Sequence, residues 1–350
     1  MIPNNRPYII GETAFHHMGE TAFLKELIDH AKKLELDGIK FHLLLDIHDY
    51  MVKNHEVIET ISNWCFDIEE WKEIIKHAQS KNLDLILLCN DLESIKFVNQ
   101  LDVEIKAIEI HATGINDIFL LEEASKFNGT VILGTGGSSI DEIQYAIDYL
   151  ETHNQKDVFL MHGFQNYPTN PSDVKLSRMN ILKDVFGYPV GYADHSDPKD
   201  PDNEAISVFA AAMGYNVLEK HFTHKFEEDR IDSQAAVSLE QMKKIKDLHA
   251  VAFKTFGDRP LQMSEAELKY GNTGPMKKAI VARQDIGQNE PLTLENIAFK
   301  RTNESSSLSQ NDLPKLMGLK TKTSIKKDEI IDYSNVTFEF KKNSFEQFNK

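Results

Sequence analysis

Short apolar runs that break into polar residues alternate with amphipathic stretches, and the alternation repeats eight times between residues 8 and 256. The runs cover residues 8–14, 38–45, 83–89, 107–112, 129–135, 158–162, 190–195 and 217–222. Each reads as a buried strand because it is short, apolar and bounded by turn residues. The stretches between them place apolar residues at helical spacing, as Phe23, Leu24, Leu27, Ile28, Ala31 and Leu34 do in residues 20–35. Asp67 is expected to cap the helix of residues 69–81, and the turn GTGGSS opens the helix of residues 140–151. Eight strand–helix units in about 250 residues predict an α/β chain folded as a (β/α)8 TIM barrel. An open doubly wound sheet is the competitor. The count of eight, with polar residues at most strand ends, favours the barrel.

The texture changes after residue 257. The barrel is assigned residues 1–257 and a polar linker with Gly and Pro residues 258–275. A small β-rich domain then covers residues 276–340, and a frayed tail residues 341–350. Two of its turns echo each other, RQDIGQNEPLTLENI and KTSIKKDEIIDYSNV, which points to a short internal repeat.

The barrel reading gives residues 189–223 their meaning. One strand there ends on Asp194-His195 and the next on Lys220-His221. Strand C-termini of such a barrel converge on one mouth. Either histidine alone reads as a strand cap. Together, on successive strands, they can share a divalent metal, and imidazole suits Mn, Fe, Co, Ni or Zn better than Ca or Mg. Glu109 and His111 have the same parity on the fourth strand and so share a face. They can bind a second cation, hold a proton, or pair with each other and Lys40; a buried Glu–Lys pair is preferred over a second metal. His16, His17 and His224 are further histidines expected near the mouth.

Composition removes other classes. The net charge of −16 argues against a nucleic-acid or anionic-membrane surface, so anionic substrates would need local Lys and Arg. Two cysteines, Cys65 and Cys89, suggest no disulfide framework. The N-terminus shows no signal pattern, and no apolar run reaches the length of a membrane span. A cytoplasmic setting is expected.

Several segments together resemble the sialic acid synthase family. GETAFHHMGE resembles the family's opening AEIG-x-NH-x-G, DGIKFH its VKFQ strand, and VILGTGGSSIDEI its ILSTGM segment. Residues 162–196 resemble the HCTSxYP…VGYSDHT run, and residues 217–242 the EKHFT…GPDxxxSLEP run. The C-terminal unit resembles the family's antifreeze-like (SAF) domain. The resemblance implies an aldol-like condensation: carbon 3 of phosphoenolpyruvate attacks the open-chain aldehyde of an N-acylhexosamine, and phosphate leaves. It implies a divalent metal, Mn2+ first with Mg2+ or Co2+ as alternatives, held by His195 and His221. It places Glu12 on a carboxylate that contacts sugar and metal-bound water, and Tyr167 and Asp232 on sugar-binding positions. It implies a domain-swapped homodimer in which Arg301 reaches the sugar's acyl group.

The departures from the family are concentrated where phosphoenolpyruvate binds. Lys40 keeps the first lysine position, but Asn90 replaces a threonine, Glu109 the strand-four lysine and Gln165 an asparagine. Ala112, Gly134 and Ala193 replace serines, and Gly114 a glutamate. Lys40, Gln165, His42, Thr113, Ser138 and the N–H groups of the GTGGSS turn are the partial replacements available to an anion. Three functions follow: condensation with phosphoenolpyruvate, preferred here; a metal-assisted aldol reaction with a non-phosphorylated donor such as pyruvate; or a sugar-binding relative without turnover.

Overall fold

The computed structural model describes residues 2–3, 5–166, 168–257 and 261–337. Tyr167 and the expected tail, residues 341–350, lie outside the described residues. The chain divides into two compact units, Met1–Asp258 and Arg259–Lys350.

The first unit is the expected barrel. Its strands are β1 (Tyr8–Glu12), β2 (Gly38–Leu43), β3 (Asp84–Cys89), β4 (Ala107–Ile110), β5 (Thr130–Gly134), β6 (Val158–His162), β7 (Val190–Asp194) and β8 (Val217–Thr223). Each pairs in parallel with the next, and β8 closes on β1 with Glu12 beside His221. A parallel strand pair needs a crossover, and a helix follows each strand to supply it. Local chemistry sets where these helices begin. Asp67 accepts from the Glu70 N–H while Glu70 reaches back to the Asp67 N–H, and Ser139 and Glu142 do the same for the helix Ile140–Thr152.

Strand parity sorts the side chains. Outward residues such as Ile9, Phe41, Leu87 and Leu218 pack against the helices in one large apolar cluster. Inward residues Tyr8, Ile10, Ile86, Ala107, Ile132, Phe159 and Val217 fill the lower barrel, joined by Ile2. One layer higher, the inward positions become charged: Glu12, Lys40, Glu109 and Glu219, all at most 3% exposed. The apolar layers below leave this ring no exit but the mouth.

In the second unit, Ala279–Ala282 pairs antiparallel with Ile297–Lys300 around a core that includes Ile280, Ile286, Leu316, Ile325 and Ile331. The echoed turns meet: the Ile286 N–H donates to the Ile325 carbonyl at 2.8 Å, and the Ile325 N–H to the Ile286 carbonyl at 2.9 Å. The stretch read as linker holds a short helix, Glu265–Tyr270, capped by Ser264 and with no buried residue. Among the described residues no helix is long and apolar enough to cross a membrane.

Candidate active site

The mouth of the barrel opens into a cavity of about 520 Å³. Glu12, Lys40, Asn90, Glu109, His111, Gln165, His195, His221 and Asp232 all line it. Arg301 belongs to the second unit, where its Nε donates to the Pro275 carbonyl at 2.7 Å. His16, His17 and His224 do not line the cavity. His16 instead meets the Ile231 carbonyl at 2.6 Å, His17 stacks on Phe66, and His224 pairs with Glu26 at 2.8 Å. Burial therefore makes packing elements of His16 and His17, and an ion pair with Glu26 holds the half-buried His224.

Lys40 stands at the centre. Its ammonium lies 2.6 Å from Glu12 Oε2, 2.7 Å from Glu219 Oε1 and 3.0 Å from Glu109 Oε2. Burial pulls this ammonium down, but Glu109 and Glu219 outweigh it and hold its pKa above the ordinary value. The ammonium donates to Glu109 Oε2 and stands in ion-pair contact with Glu12 and Glu219. The expected Glu109–Lys40 pair is therefore present within a larger cage. Burial pushes the Glu109 carboxyl up to about 7, against the lowering effect of Lys40. Glu219 was missed from the sequence, although it has the parity of His221 two residues on and so had to face inward.

The two strand-end histidines come together, with ring centroids 5.1 Å apart. Burial lowers His195 to about 4 and His221 well below its usual range, so both are neutral near pH 7. His195 Nδ1 is buried without a hydrogen-bond partner. Metal–imidazole bonds of about 2.0–2.1 Å let one cation sit between rings at this separation. The donor set thus fits a divalent ion. Among the described residues, no group of three or more His, Cys, Asp or Glu side chains is arranged to hold a metal. Behind the histidines, Asp194 and Lys220 point out of the barrel and meet at 2.7 Å with neither side chain exposed. Tyr192, Ser196 and Ser207 also donate to Asp194.

The loop after β8 carries Asp232, whose Oδ1 accepts from Gln165 Nε2 at 3.0 Å. Burial raises the Asp232 pKa, against the lowering effect of Gln165. Arg230 ties this loop to the loop after β1, donating to the His16 carbonyl at 2.9 Å and the His17 carbonyl at 3.1 Å, with its guanidinium 4.0 Å over Phe23. Glu12 and Asp232 are thereby held on one framework.

The positions offered as substitutes for an anion are mostly spent. Asn90 Nδ2 donates to the Leu43 carbonyl at 3.1 Å. In the GTGGSS turn the Ser138 N–H donates to Thr135 and the Ser139 N–H to Glu142, so the helix start is capped by its own side chains. His111 bonds Thr113 Oγ1 at 2.8 Å. His162 meets the Val174 carbonyl at 2.9 Å and braces the loop after β6. Gly163, which follows, has φ of +141°, and an added Cβ would stand 2.0 Å from the Ala193 carbonyl oxygen. Gly163→Ala is expected to cost about 1–3 kcal/mol in backbone strain alone. A melting temperature equal to wild type would refute that constraint.

Residues 27–259 match the NeuB family and residues 277–337 match the SAF domain. The chain belongs to the NeuB family. Among its NeuB-family relatives, the N,N'-diacetyllegionaminic acid synthase of Campylobacter jejuni is 28% identical, over 92% of this chain and 98% of that protein. The N-acetylneuraminate-9-phosphate synthase of Drosophila melanogaster is 24% identical, over 93% of this chain and 94% of that protein. Among solved structures, the N-acetylneuraminic acid synthetase of Leptospira borgpetersenii superposes with a TM-score of 0.70 at 25% identity, covering 76% of this chain and 90% of that one. These are the synthases to which the sequence motifs pointed.

Proposed function

We propose that the barrel catalyses a metal-dependent, aldol-type condensation. A three-carbon donor joins the open-chain aldehyde of an N-acylhexosamine or related aldose, giving a sialic-acid-like ulosonic acid. The convergence of His195, His221, Glu12 and Asp232 on one cavity carries this reading. His195 and His221 would hold the divalent ion, whose Lewis acidity would polarise the aldehyde. Glu12 and Asp232, each at most 7% exposed, accept sugar hydroxyls, and Gln165 fixes the Asp232 rotamer. Tyr167 is assigned to the same sugar wall on the resemblance alone. A cytoplasmic homodimer, with Arg301 serving the acyl group, belongs to the same proposal. A monomeric mass in sedimentation would remove the dimer.

For the donor, the resemblance implies phosphoenolpyruvate, with one phosphate released per product. The Lys40 cage favours a second reading, in which the donor carries no phosphate and resembles pyruvate. Lys40 is the one Lys or Arg among the described residues lining the cavity, and three carboxylates already surround it. At 4 Å and an effective dielectric constant of ~20, each like-charge contact costs about 4 kcal/mol. A phosphate dianion beside Glu109 meets that repulsion.

Phosphate release separates the donors. Protein with Mn2+, phosphoenolpyruvate and a panel of aldoses releases phosphate only under the first reading; pyruvate consumption with the same sugars supports the second. Sugar binding without turnover of either donor removes both. Glu109→Lys is expected to tighten phosphoenolpyruvate binding, measured by calorimetry, by roughly 10²-fold or more, since ~4 kcal/mol of repulsion becomes attraction. No gain would remove Glu109 as the barrier.

A further inference from the structure

A second cavity, of about 450 Å³, adjoins the one at the barrel mouth, and Tyr50, Asn90, His111 and Thr113 line both. One of its walls is the segment after β2, with Met51, Val52 and His55, and another the segment after β4, with Gly114, Asp117 and Leu120. Short-range capping shapes both walls. Asp46 accepts from the His48 N–H at 2.9 Å and opens the helical turn Ile47–Tyr50, and Asp49 Oδ2 accepts from the Leu92 N–H at 3.0 Å. Across the chamber Asp117 Oδ1 accepts from the Phe119 N–H at 2.9 Å. Gly114 supplies the room between them. Its φ is not positive, so the backbone there does not call for glycine. A Cβ at this position would stand 3.0 Å from Leu120 Cδ1, and a longer side chain would crowd the chamber that Leu120 lines.

Barrel closure fixes where this chamber lies. His195 and His221 stand at the ends of β7 and β8, while Asn90 and His111 follow β3 and β4. In a closed ring of eight strands, β3 is four strands from β7 and β4 four from β8, so the two groups face each other across the mouth. An open-chain aldose with its aldehyde at the histidines therefore directs its terminal carbon toward the chamber. The lining sets what that end can carry. Among the described residues lining the chamber there is no Lys or Arg, and Asp49 and Asp117 are carboxylates. A phosphorylated or otherwise anionic end meets like charge with no cation to offset it. Met51, Val52 and Leu120 offer apolar surface to a methyl or alkyl group, and the carboxylates accept hydrogen bonds from an N–H or O–H. We propose that the chamber is a subsite for the far end of the acceptor, selecting an aldose whose terminal carbon carries an uncharged acyl or acylamino substituent. The inference rests on the aldose-acceptor reading above and on neither choice of donor.

The test compares N-acetylmannosamine with its 6-acetamido-6-deoxy derivative and its 6-phosphate. Binding to the full chain with Mn2+ is measured by calorimetry, and turnover by phosphate release from phosphoenolpyruvate and by pyruvate consumption. The acetamido derivative is expected to bind about 10-fold or more tighter than N-acetylmannosamine, and the 6-phosphate more weakly than either. Gly114→Leu fills the chamber from its wall and is expected to bring the ratio between derivative and parent close to one. Val52→Trp narrows it from the rim and is expected to do the same. Val52 is 67% exposed, so this second variant spares the core and keeps the test intact if the glycine variant misfolds. Equal affinity for parent and derivative in wild type, or a preference that survives both variants, overturns the subsite and leaves the condensation reading standing. A preference lost in the variants, with no turnover of any sugar, upholds the subsite and removes the reaction. Failure of all three sugars to bind removes the subsite and the aldose-acceptor reading together.

Discussion

Replacing His221 with alanine is expected to abolish turnover by emptying the metal position. The argument is one of coordination number. Two imidazoles meet here, and no larger group of metal-binding side chains forms among the described residues. Removing one of the two proposed ligands would therefore leave a single imidazole to hold the ion. Burial keeps both rings neutral, so no proton competes with the cation near pH 7. Lewis-acid polarisation supplies several kcal/mol at the barrier, so its loss corresponds to a rate decrease on the order of 10³-fold or more. Metal content by elemental analysis and turnover are measured on the same sample. Full turnover in His221→Ala, or in chelator-treated wild type, would sink the metal role.

Lys220→Met should produce the largest loss of stability. Asp194 and Lys220 face each other in register on β7 and β8, and both side chains are fully buried. Removing the lysine strands a carboxylate in a dry site, which costs about 3–5 kcal/mol. For a chain of this size that is a fall in melting temperature on the order of 10 °C. Burial alone would raise the Asp194 pKa; Lys220, Ser207 and Ser196 more than reverse this and bring it to about 2. Its folded value thus lies below the usual ~3.9. The stabilisation is present above about pH 4 and drains away as the pH falls towards 2. Without Lys220, burial pushes the Asp194 carboxyl up, so the loss in Lys220→Met is expected to be largest near neutral pH and to shrink as the pH falls and the stranded carboxyl takes a proton. A double variant, Lys220→Met with Asp194→Asn, removes the stranded charge and should recover part of the loss. A shift below 2 °C in the single variant would show that the pair contributes little. Because the pair locks the strand ends that carry His195 and His221, the same variant tests whether their alignment depends on it.

The barrel and most of its mouth were legible in the sequence because both rest on short-range periodicity. Strand parity makes residue 221 an inward position once β8 is recognised, and strand order then puts it beside residue 195. The cap at Asp67 and the opening of the helix at Ile140 are equally local, each decided within four residues. The family motifs are legible for the same reason, since they sit at strand ends whose order the alternation sets. What the tertiary structure decided is which charges meet. Lys40 finds Glu12 on β1, Glu109 on β4 and Glu219 on β8, and no local pattern encodes the height and rotamer that bring three carboxylates to one ammonium. Asp194 and Lys220 look like site charges because they flank the histidines, but alternation turns them outward into a buried latch. His16 and His17 read as mouth residues by position and are packed away by burial that only closure of the barrel creates. Periodicity tells a side chain which way to face; the identity of its partner across the barrel is a property of the closed sheet.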